Sequence, residues 1–133
     1  MCGIFAYMGT KMAMPILVEG LRRLEYRGYD SAGIAIKNES FTVLKKVGKV
    51  AELQSILPAE KEGTVGIAHT RWATHGGVSD ENAHPHASVS GDVIIVHNGI
   101  IENSRTLRKL LERKGIQLSS ETDSETIAHI LDY

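Results

Sequence analysis

The sequence predicts a single domain of mixed helices and strands, an α/β-type chain, on three observations. Its 133 residues suit one domain and are enough to bury a core. Its composition, 42% hydrophobic and 23% charged with a net charge of −1, is typical of a globular protein. Short apolar runs with strand character also alternate with segments in which leucines recur at helical spacing.

The first part of the chain predicts four strands and two helices. The chain begins with a strand over 4–8 and a helix that carries Leu17, Leu21 and Leu24 and ends within 26–31. Strands over 32–38 and 41–48 follow as a hairpin. A helix over 50–57 and a strand over 64–70 complete this part. Pro15 suits the first turn of the first helix, and Pro58 suits the end of the second.

The second part predicts a long loop followed by one strand and two helices. Residues 71–90 are rich in Gly, His, Asn and Ser, and a loop of that length is more often functional than accidental. The elements that follow are a continuous strand over 92–99, a helix capped by Asn103 or Ser104 that stops at Gly115, and a last helix that begins with a capping box over 122–125. The chain ends at Tyr133 without a helix-stop signal, so we expect it to be part of a longer domain.

Charge and cysteine content exclude several classes of protein. Charges of both signs are interspersed, which argues against nucleic acid or an anionic membrane as a partner. A single cysteine forms no internal disulfide and favours the reducing cytoplasm. The N-terminus lacks the pattern of a signal peptide, and no apolar run approaches the length of a membrane span.

Unusual polar residues follow or precede three predicted elements, in the stretches 69–75, 97–99 and 120–125. Loops at the edge of a rigid sheet are where functional sites are built. Taken singly, each residue also has an ordinary explanation. Arg71 is typical of a surface ion pair, Asn98 with Gly99 of a turn, and Asp123 of a helix N-terminus.

His84 and His86, with His75 as a third ligand, suggest a zinc site, since imidazole is a common zinc ligand. Pro85 argues against it, because it forces an extended chain and so sends neighbouring side chains to opposite sides. The only cysteine is also remote in the sequence. We therefore predict no metal, and expect Asn82 and His84 to fix the loop by hydrogen bonds.

Cys2 by itself is most simply a small buried hydrophobe. Its position changes this interpretation, because removal of Met1 makes Cys2 the terminal residue, with a thiol and a free amine a few ångströms apart. An α-amino group has a pKa of about 7.7 to 8.0 and a thiol of about 8.5. The amine is therefore able to take the thiol proton, and the thiol to attack an acyl carbon. Gly3 leaves the backbone beside the thiol uncrowded.

Five motifs carry a resemblance to a known family. They are M1-C-G-I4, R27-G-Y-D-S-A-G33, H69-T-R-W-A-T-H-G76, H97-N-G-I-I-E-N103 and E121-T-D-S-E125. Together and in this order they resemble the glutaminase domain of the class II glutamine amidotransferases, which are Ntn hydrolases. The stretch over 21–33 is most similar to the branch that makes glucosamine 6-phosphate from fructose 6-phosphate.

The resemblance implies an α+β fold, the N-terminal part of an αββα sandwich in which stacked, mainly antiparallel sheets are flanked by helices. It implies that residues 1–133 are a partial glutaminase domain that hydrolyses L-glutamine through a γ-glutamyl thioester, with no cofactor. In whole family members the ammonia passes to a sugar-phosphate isomerase domain, absent here, and the protein is a homodimer.

The resemblance also implies a role for each matching residue. Cys2 is the nucleophile with its freed amine as the base, and the Asn98 side chain and the Gly99 N–H form the oxyanion hole. The glutamine-binding residues are Arg71 for the α-carboxylate, with Thr74 and His75, Asp123 for the α-ammonium, and Trp72 for the pocket wall. Arg27 and His84 take supporting roles.

Three alternatives remain at this point. The first is a glutamine-binding module without catalysis, and the second is the glutaminase half of another class II amidotransferase. The third is a plain structural domain. The last of these leaves the coincidence of five motifs unexplained. The first predicts glutamine affinity without production of glutamate.

Overall fold

A computed structural model describes residues 1–133 and contains two antiparallel sheets and four α-helices. The elements are β1 (Gly3–Met8), α1 (Ala13–Leu24), β2 (Ser31–Lys37), β3 (Phe41–Val47), α2 (Val50–Ile56), β4 (Val65–Arg71), β5 (His86–Ala87), β6 (Ile94–Ile95), α3 (Ser104–Arg113) and α4 (Glu125–Asp132). One sheet has the strand order β1-β4-β2-β3, and the other pairs β5 with β6. None of the helices combines the length and the apolar character needed to cross a membrane.

The register of the larger sheet brings three chain segments to one end. β4 lies between β1 and β2, with Gly3 opposite Thr70 and Ser31 opposite Arg71. The start of β1, the start of β2 and the end of β4 are therefore neighbours. Cys2, the motif over 27–33 and the polar stretch over 69–75 consequently meet at a single edge.

One face of the larger sheet is apolar and is covered by α1. Leu17 and Leu21 of this helix are fully buried against the sheet residues Ile34, Ile36 and Ala68. Because side chains alternate along a strand, every second residue of β2 and β4 enters this core. The predicted helical spacing of the leucines is thus confirmed.

The opposite face is covered by the irregular segment that precedes β5. Its backbone lies so close to the sheet that a Cβ atom at Gly33 would overlap the carbonyl of His84. Lys45 of β3 fastens the same segment, since its Nζ donates to the carbonyls of Ala83 at 2.8 Å and Glu81 at 3.2 Å. Burial lowers the pKa of Lys45 below its ordinary value. α4 packs on the β5–β6 pair, and α3 packs on α4.

Two local predictions need correction. The strand expected over 92–99 is only two residues long, because side chains take the neighbouring backbone donors. The N–H of Val93 donates to Ser88 Oγ at 3.2 Å, and the N–H of His97 donates to His84 Nδ1 at 3.4 Å. The backbone N–H groups of this segment therefore find hydrogen-bond partners without a continuous neighbouring strand.

The predicted capping box over 122–125 does not form either. α4 begins at Glu125, whose buried carboxylate reaches back to accept the N–H groups of Ser119 and Ser120, each at 2.7 Å. Burial raises the pKa of this carboxyl, but the hydrogen bonds from Ser120, Ser119 and His129 outweigh it and lower the pKa to about 2. Glu125 thus organises the turn before the helix and not the helix end itself.

Candidate active site

The only cysteine is held at the edge of the sheet where the three segments meet. Cys2 directly precedes β1, and its Sγ accepts a hydrogen bond from the N–H of Trp72 at 3.1 Å. The thiol also lies 3.4 Å from the carbonyl oxygen of Trp72, to which it donates. Because β1 is paired with β4, this N-terminus is fixed against the residue that follows β4, as the apolar run after Cys2 predicts.

A small polar cavity of about 30 Å³ adjoins the thiol. It is lined by Cys2, Arg71, Trp72, Thr74, His75, His84, His97, Asn98, Gly99, Thr122, Asp123 and Ser124. Nine of the ten residues that the sequence proposes for a site therefore share one cavity. The tenth, Arg27, lines an adjoining cavity of about 490 Å³ together with Met1 and Ile100.

Two opposite charges are buried in the polar cavity. Arg71, on the face of β4 opposite α1, donates from Nη1 to the carbonyl of Gly77 at 2.8 Å and from Nη2 to that of His75. Burial lowers the pKa of Arg71, and the nearby thiol and carboxylates act in the opposite direction. Asp123 accepts the N–H of Ile101 at 2.7 Å, and its carboxylate lies 3.4 Å from Nδ1 of His75.

The turn after β6 places an amide beside Cys2. Asn98 Nδ2 donates to the carbonyl oxygen of Cys2 at 3.1 Å, and its Oδ1 lies 2.8 Å from Nε2 of His69. Gly99 has a φ of +151°, a backbone conformation that favours glycine. The chain therefore turns sharply directly after Asn98. The chain thus presents an amide N–H group and an accessible backbone next to the thiol.

Hydrogen bonds fix the loop that surrounds the cavity, as expected for Asn82 and His84. Asn82 donates to the carbonyl of Gly77 at 3.0 Å and accepts the N–H of Glu121 at 2.8 Å. His84 Nδ1 accepts the N–H of His97. These contacts tie the loop after β4 to the segments that carry Asn98 and Asp123.

The histidines are arranged differently from the sequence prediction. The rings of His69 and His84 stack with centroids 4.2 Å apart, and those of His84 and His86 meet edge to face at 4.5 Å. The expectation that Pro85 separates the two imidazoles is wrong, because the two rings lie in contact with each other. His75 lies apart from this group, beside Asp123.

Burial keeps these three rings neutral. It lowers the pKa of His69 to about 4 and that of His86 to about 3, and it lowers the pKa of His84 further still. His86 is hydrogen-bonded through Nε2 to the hydroxyl of Thr122 at 2.8 Å. No group of three His, Cys, Asp or Glu side chains is placed to hold a metal ion.

Sequence reasoning missed two contributors to the site. Asp30 Oδ2 accepts the N–H of Ala73 at 2.8 Å, which supports the backbone that carries Trp72. His69 contacts Asn98 although 29 residues separate them. Asp30 lies in the motif over 27–33 and His69 in the polar stretch over 69–75, which was the available signal, but their partners depend on the register of the sheet.

The site thus combines a thiol at the start of an N-terminal strand with an amide donor and two opposite charges. A family model described as "Glutamine amidotransferase domain" matches residues 57–133. The chain belongs to this family.

Relatives in sequence and in structure agree with the assignment. The chain is 54% identical to glutamine–fructose-6-phosphate aminotransferase [isomerizing] of Chlorobaculum tepidum, over 99% of the chain and 22% of the relative. It is 55% identical to the protein of the same name from Caldanaerobacter subterraneus subsp. tengcongensis, over 100% of the chain and 22% of the relative. The chain thus spans about a fifth of the length of these relatives.

Among solved structures, glutamine phosphoribosylpyrophosphate amidotransferase from B. subtilis, complexed with ADP and GMP, is similar with a TM-score of 0.81 and 30% identity. The match covers 97% of this chain and 29% of that one. A structure described as the allosteric regulatory enzyme of purine biosynthesis is similar with a TM-score of 0.79, at the same identity and coverage. The predicted α+β Ntn-hydrolase fold is confirmed by these similarities.

Proposed function

We propose that this chain hydrolyses the side-chain amide of L-glutamine to glutamate and ammonia, through a γ-glutamyl thioester on Cys2. The observation that carries the proposal is the single cavity that joins the thiol to Asn98, Arg71 and Asp123. A thiol attacks an acyl carbon, and an amide N–H stabilises the oxyanion that this attack creates. A guanidinium and a carboxylate recognise the two charged groups of an amino acid.

Arg71 and Asp123 orient the substrate in this proposal. A planar guanidinium binds a carboxylate with two parallel hydrogen bonds, so Arg71 takes the α-carboxylate, with Thr74 and His75 beside it. Asp123 accepts from the α-ammonium. The side-chain amide of glutamine then extends towards Cys2, along the wall formed by Trp72.

In this proposal glutamine competes with the loop after β4 for the guanidinium of Arg71. The polar cavity of about 30 Å³ is too small for glutamine, and the adjoining cavity of about 490 Å³, which is also lined by Cys2, Trp72 and Asn98, supplies further space. Arg71 now donates to the carbonyls of His75 and Gly77, the loop that closes the cavity. An incoming carboxylate competes for the same donors, which couples substrate binding to release of this loop.

Catalysis in this scheme begins with removal of Met1, which is 77% exposed and so accessible to an aminopeptidase. The freed α-amine of Cys2 takes the thiol proton, and the thiolate attacks the amide carbon of glutamine. Asn98 Nδ2 and the N–H of Gly99 donate to the developing oxyanion. The protonated amine then gives its proton to the leaving ammonia, and water hydrolyses the thioester to glutamate.

The role within a whole protein is a second part of the proposal. Residues 1–133 form part of a glutaminase domain, and a sugar-phosphate isomerase domain uses the ammonia to aminate fructose 6-phosphate in a cytoplasmic homodimer. The names of the relatives at 54% and 55% identity support this acceptor over that of the purine enzymes, which are 30% identical.

The test is intact mass spectrometry before and after incubation with a diazo-ketone analogue of glutamine, with glutamate release measured on the same sample. Loss of Met1, a single adduct on Cys2 that excess glutamine blocks, and release of glutamate are expected. The Asp123→Asn variant is the matched control, because it keeps the thiol and weakens the capture of the ammonium. Glutamine binding without adduct or glutamate would identify a binding module and contradict the catalytic proposal.

A further inference from the structure

His69 is a buried residue of β4 that contacts the proposed oxyanion donor and not the substrate cavity itself. Its side chain is 1% exposed, and its Nε2 lies 2.8 Å from Oδ1 of Asn98. We propose that His69 is a positioning residue, which holds the amide of Asn98 with its nitrogen directed at the reacting carbonyl. This inference rests on the proposed function, because it concerns the same oxyanion site.

The two contacts of Asn98 define which end of its amide faces Cys2. The atom near the carbonyl oxygen of Cys2, 3.1 Å away, has to be a donor, because a carbonyl oxygen only accepts. That atom is therefore Nδ2, and Oδ1 faces His69. Since Oδ1 also only accepts, Nε2 of His69 carries the hydrogen.

A reversed amide has two unfavourable consequences. It places Oδ1 against the carbonyl oxygen of Cys2, so that two acceptors meet. It also presents a lone pair and not an N–H group to the oxyanion, which repels the negative charge that the reaction creates. When Nε2 of His69 is protonated, it donates a hydrogen bond only to the amide orientation in which Oδ1 of Asn98 faces it. His69 therefore selects between the two orientations.

The surroundings of His69 keep this donor in place. Burial lowers the pKa of His69 to about 4, opposed by the hydrogen bond to Asn98 and helped by the nearby charge of Arg71, so the ring is neutral near pH 7. Its hydrogen stays on Nε2, since Nδ1 is buried without a partner. The stacked ring of His84 fixes the plane of the imidazole. Asn98 itself is exposed and follows a strand of only two residues, so it depends on such a contact.

The test compares His69→Phe with His69→Gln in the Met1-processed chain. Phenylalanine keeps the stacking ring and removes the donor, whereas the glutamine amide places an N–H group close to the position of Nε2. For His69→Phe we expect kcat to fall about 10- to 100-fold, part of the effect of losing an oxyanion donor, with the KM for glutamine changed by less than about 3-fold. His69→Gln retains most of the activity.

Two controls separate positioning from general damage. His129→Phe removes another buried histidine, which contacts Glu125 and not the site, and should leave kcat of the folded protein unchanged. In an Asn98→Ala background, His69→Phe should have little further effect on kcat, because residues that act through one contact are not additive. A full additive loss, a change in KM alone, or an equal loss in His129→Phe would overturn the inference.

Failure of the wild-type chain to hydrolyse glutamine would count against the proposed function alone. The contact between His69 and Asn98 can then be tested by a measurement that needs no catalysis. The side-chain NH₂ signals of Asn98 in a ¹H–¹⁵N spectrum report its orientation. We expect them to shift or double in His69→Phe and to stay close to wild type in His69→Gln. Unchanged signals in His69→Phe would overturn the positioning role.

Discussion

The two faces of the four-stranded sheet are filled in different ways. The face beneath α1 is apolar, with Leu17, Leu21 and Ile34 fully buried. The opposite face carries His69 and Arg71, both buried and both hydrogen-bonded to loops from other parts of the chain. The apolar face supplies stability through the area it removes from water, whereas the polar face depends on hydrogen bonds between its buried groups and the loops that cover it.

The difference indicates where function is possible. A leucine core accepts many sequences of similar volume, but a buried guanidinium or imidazole fixes the geometry of whatever it contacts. The polar face uses this property to hold the loop after β4 and the amide of Asn98 around Cys2. Substitutions on the two faces should therefore separate activity from stability.

The largest expected effect comes from replacing the proposed nucleophile. Cys2→Ala removes the thiol and should lower glutamine hydrolysis by about 10⁴-fold or more, by analogy with the loss of other nucleophiles. The thermal midpoint of the variant should stay close to that of wild type, because the thiol is hydrogen-bonded only to the backbone of Trp72. Glutamate release and thermal melts on the same sample measure both. Substantial residual hydrolysis would show that another group attacks the substrate.

Loss of the proposed oxyanion donor is expected to come next. Asn98→Ala should lower kcat by about 10²- to 10³-fold, because Nδ2 donates to a charge that exists only after attack. The KM for glutamine should change little, since Asn98 does not bind the charged ends of the substrate. Steady-state kinetics separates these effects. An increase in KM at unchanged kcat would contradict the oxyanion assignment.

The apolar face should respond in the opposite way. Leu21→Ala removes a fully buried side chain and should lower the free energy of unfolding by about 2 to 5 kcal/mol. The kcat and KM of the fraction that remains folded should match wild type, because Leu21 faces away from the site. Urea denaturation followed by assays at low urea tests this. A matching loss of kcat would show that the two faces are coupled.

The elements of the apolar face were predictable because their signal is local. The spacing of Leu17 and Leu21 predicts α1, and the apolar runs predict β1 to β4 close to their observed bounds. The three polar stretches at strand ends also indicated the site. The short β6 and the reach of Glu125 to Ser119 were not predictable, because they depend on side chains that meet only in the folded chain.

The site shows the same division between local and long-range information. Individual residues such as Arg71 and Asn98 were identifiable from their motifs, whereas the orientation of the Asn98 amide depends on His69, 29 residues away. The stack of His84 on His69 likewise joins a loop to a strand. Sequence patterns carry no information on such pairs, so the wrong inference about Pro85 arose from treating the loop in isolation.

The smallest expected effect is a pH dependence of stability that arises on the polar face. The pKa values of His69 and His86 are lowered by burial to about 4 and about 3 in the folded chain, against an ordinary value of 6.5. The unfolded chain therefore binds more protons below pH 6.5, and stability is lost as the pH falls through this window. Each histidine contributes up to about 1.4 kcal/mol per pH unit.

Urea denaturation at pH 7.5, 6 and 5 measures this dependence in wild type and in His86→Gln, which keeps a polar group near Thr122. We expect the decrease in unfolding free energy between pH 7.5 and 5 to be smaller in the variant by about 1 to 2 kcal/mol, since one titrating group is lost. Glu125 does not obscure the comparison, because its lowered pKa removes stability only below about pH 4.5. Leu21→Ala is the control from the apolar face, and its pH dependence should equal that of wild type. An unchanged slope in His86→Gln would mean that this imidazole is not held neutral, and that the polar face accommodates a buried charge there.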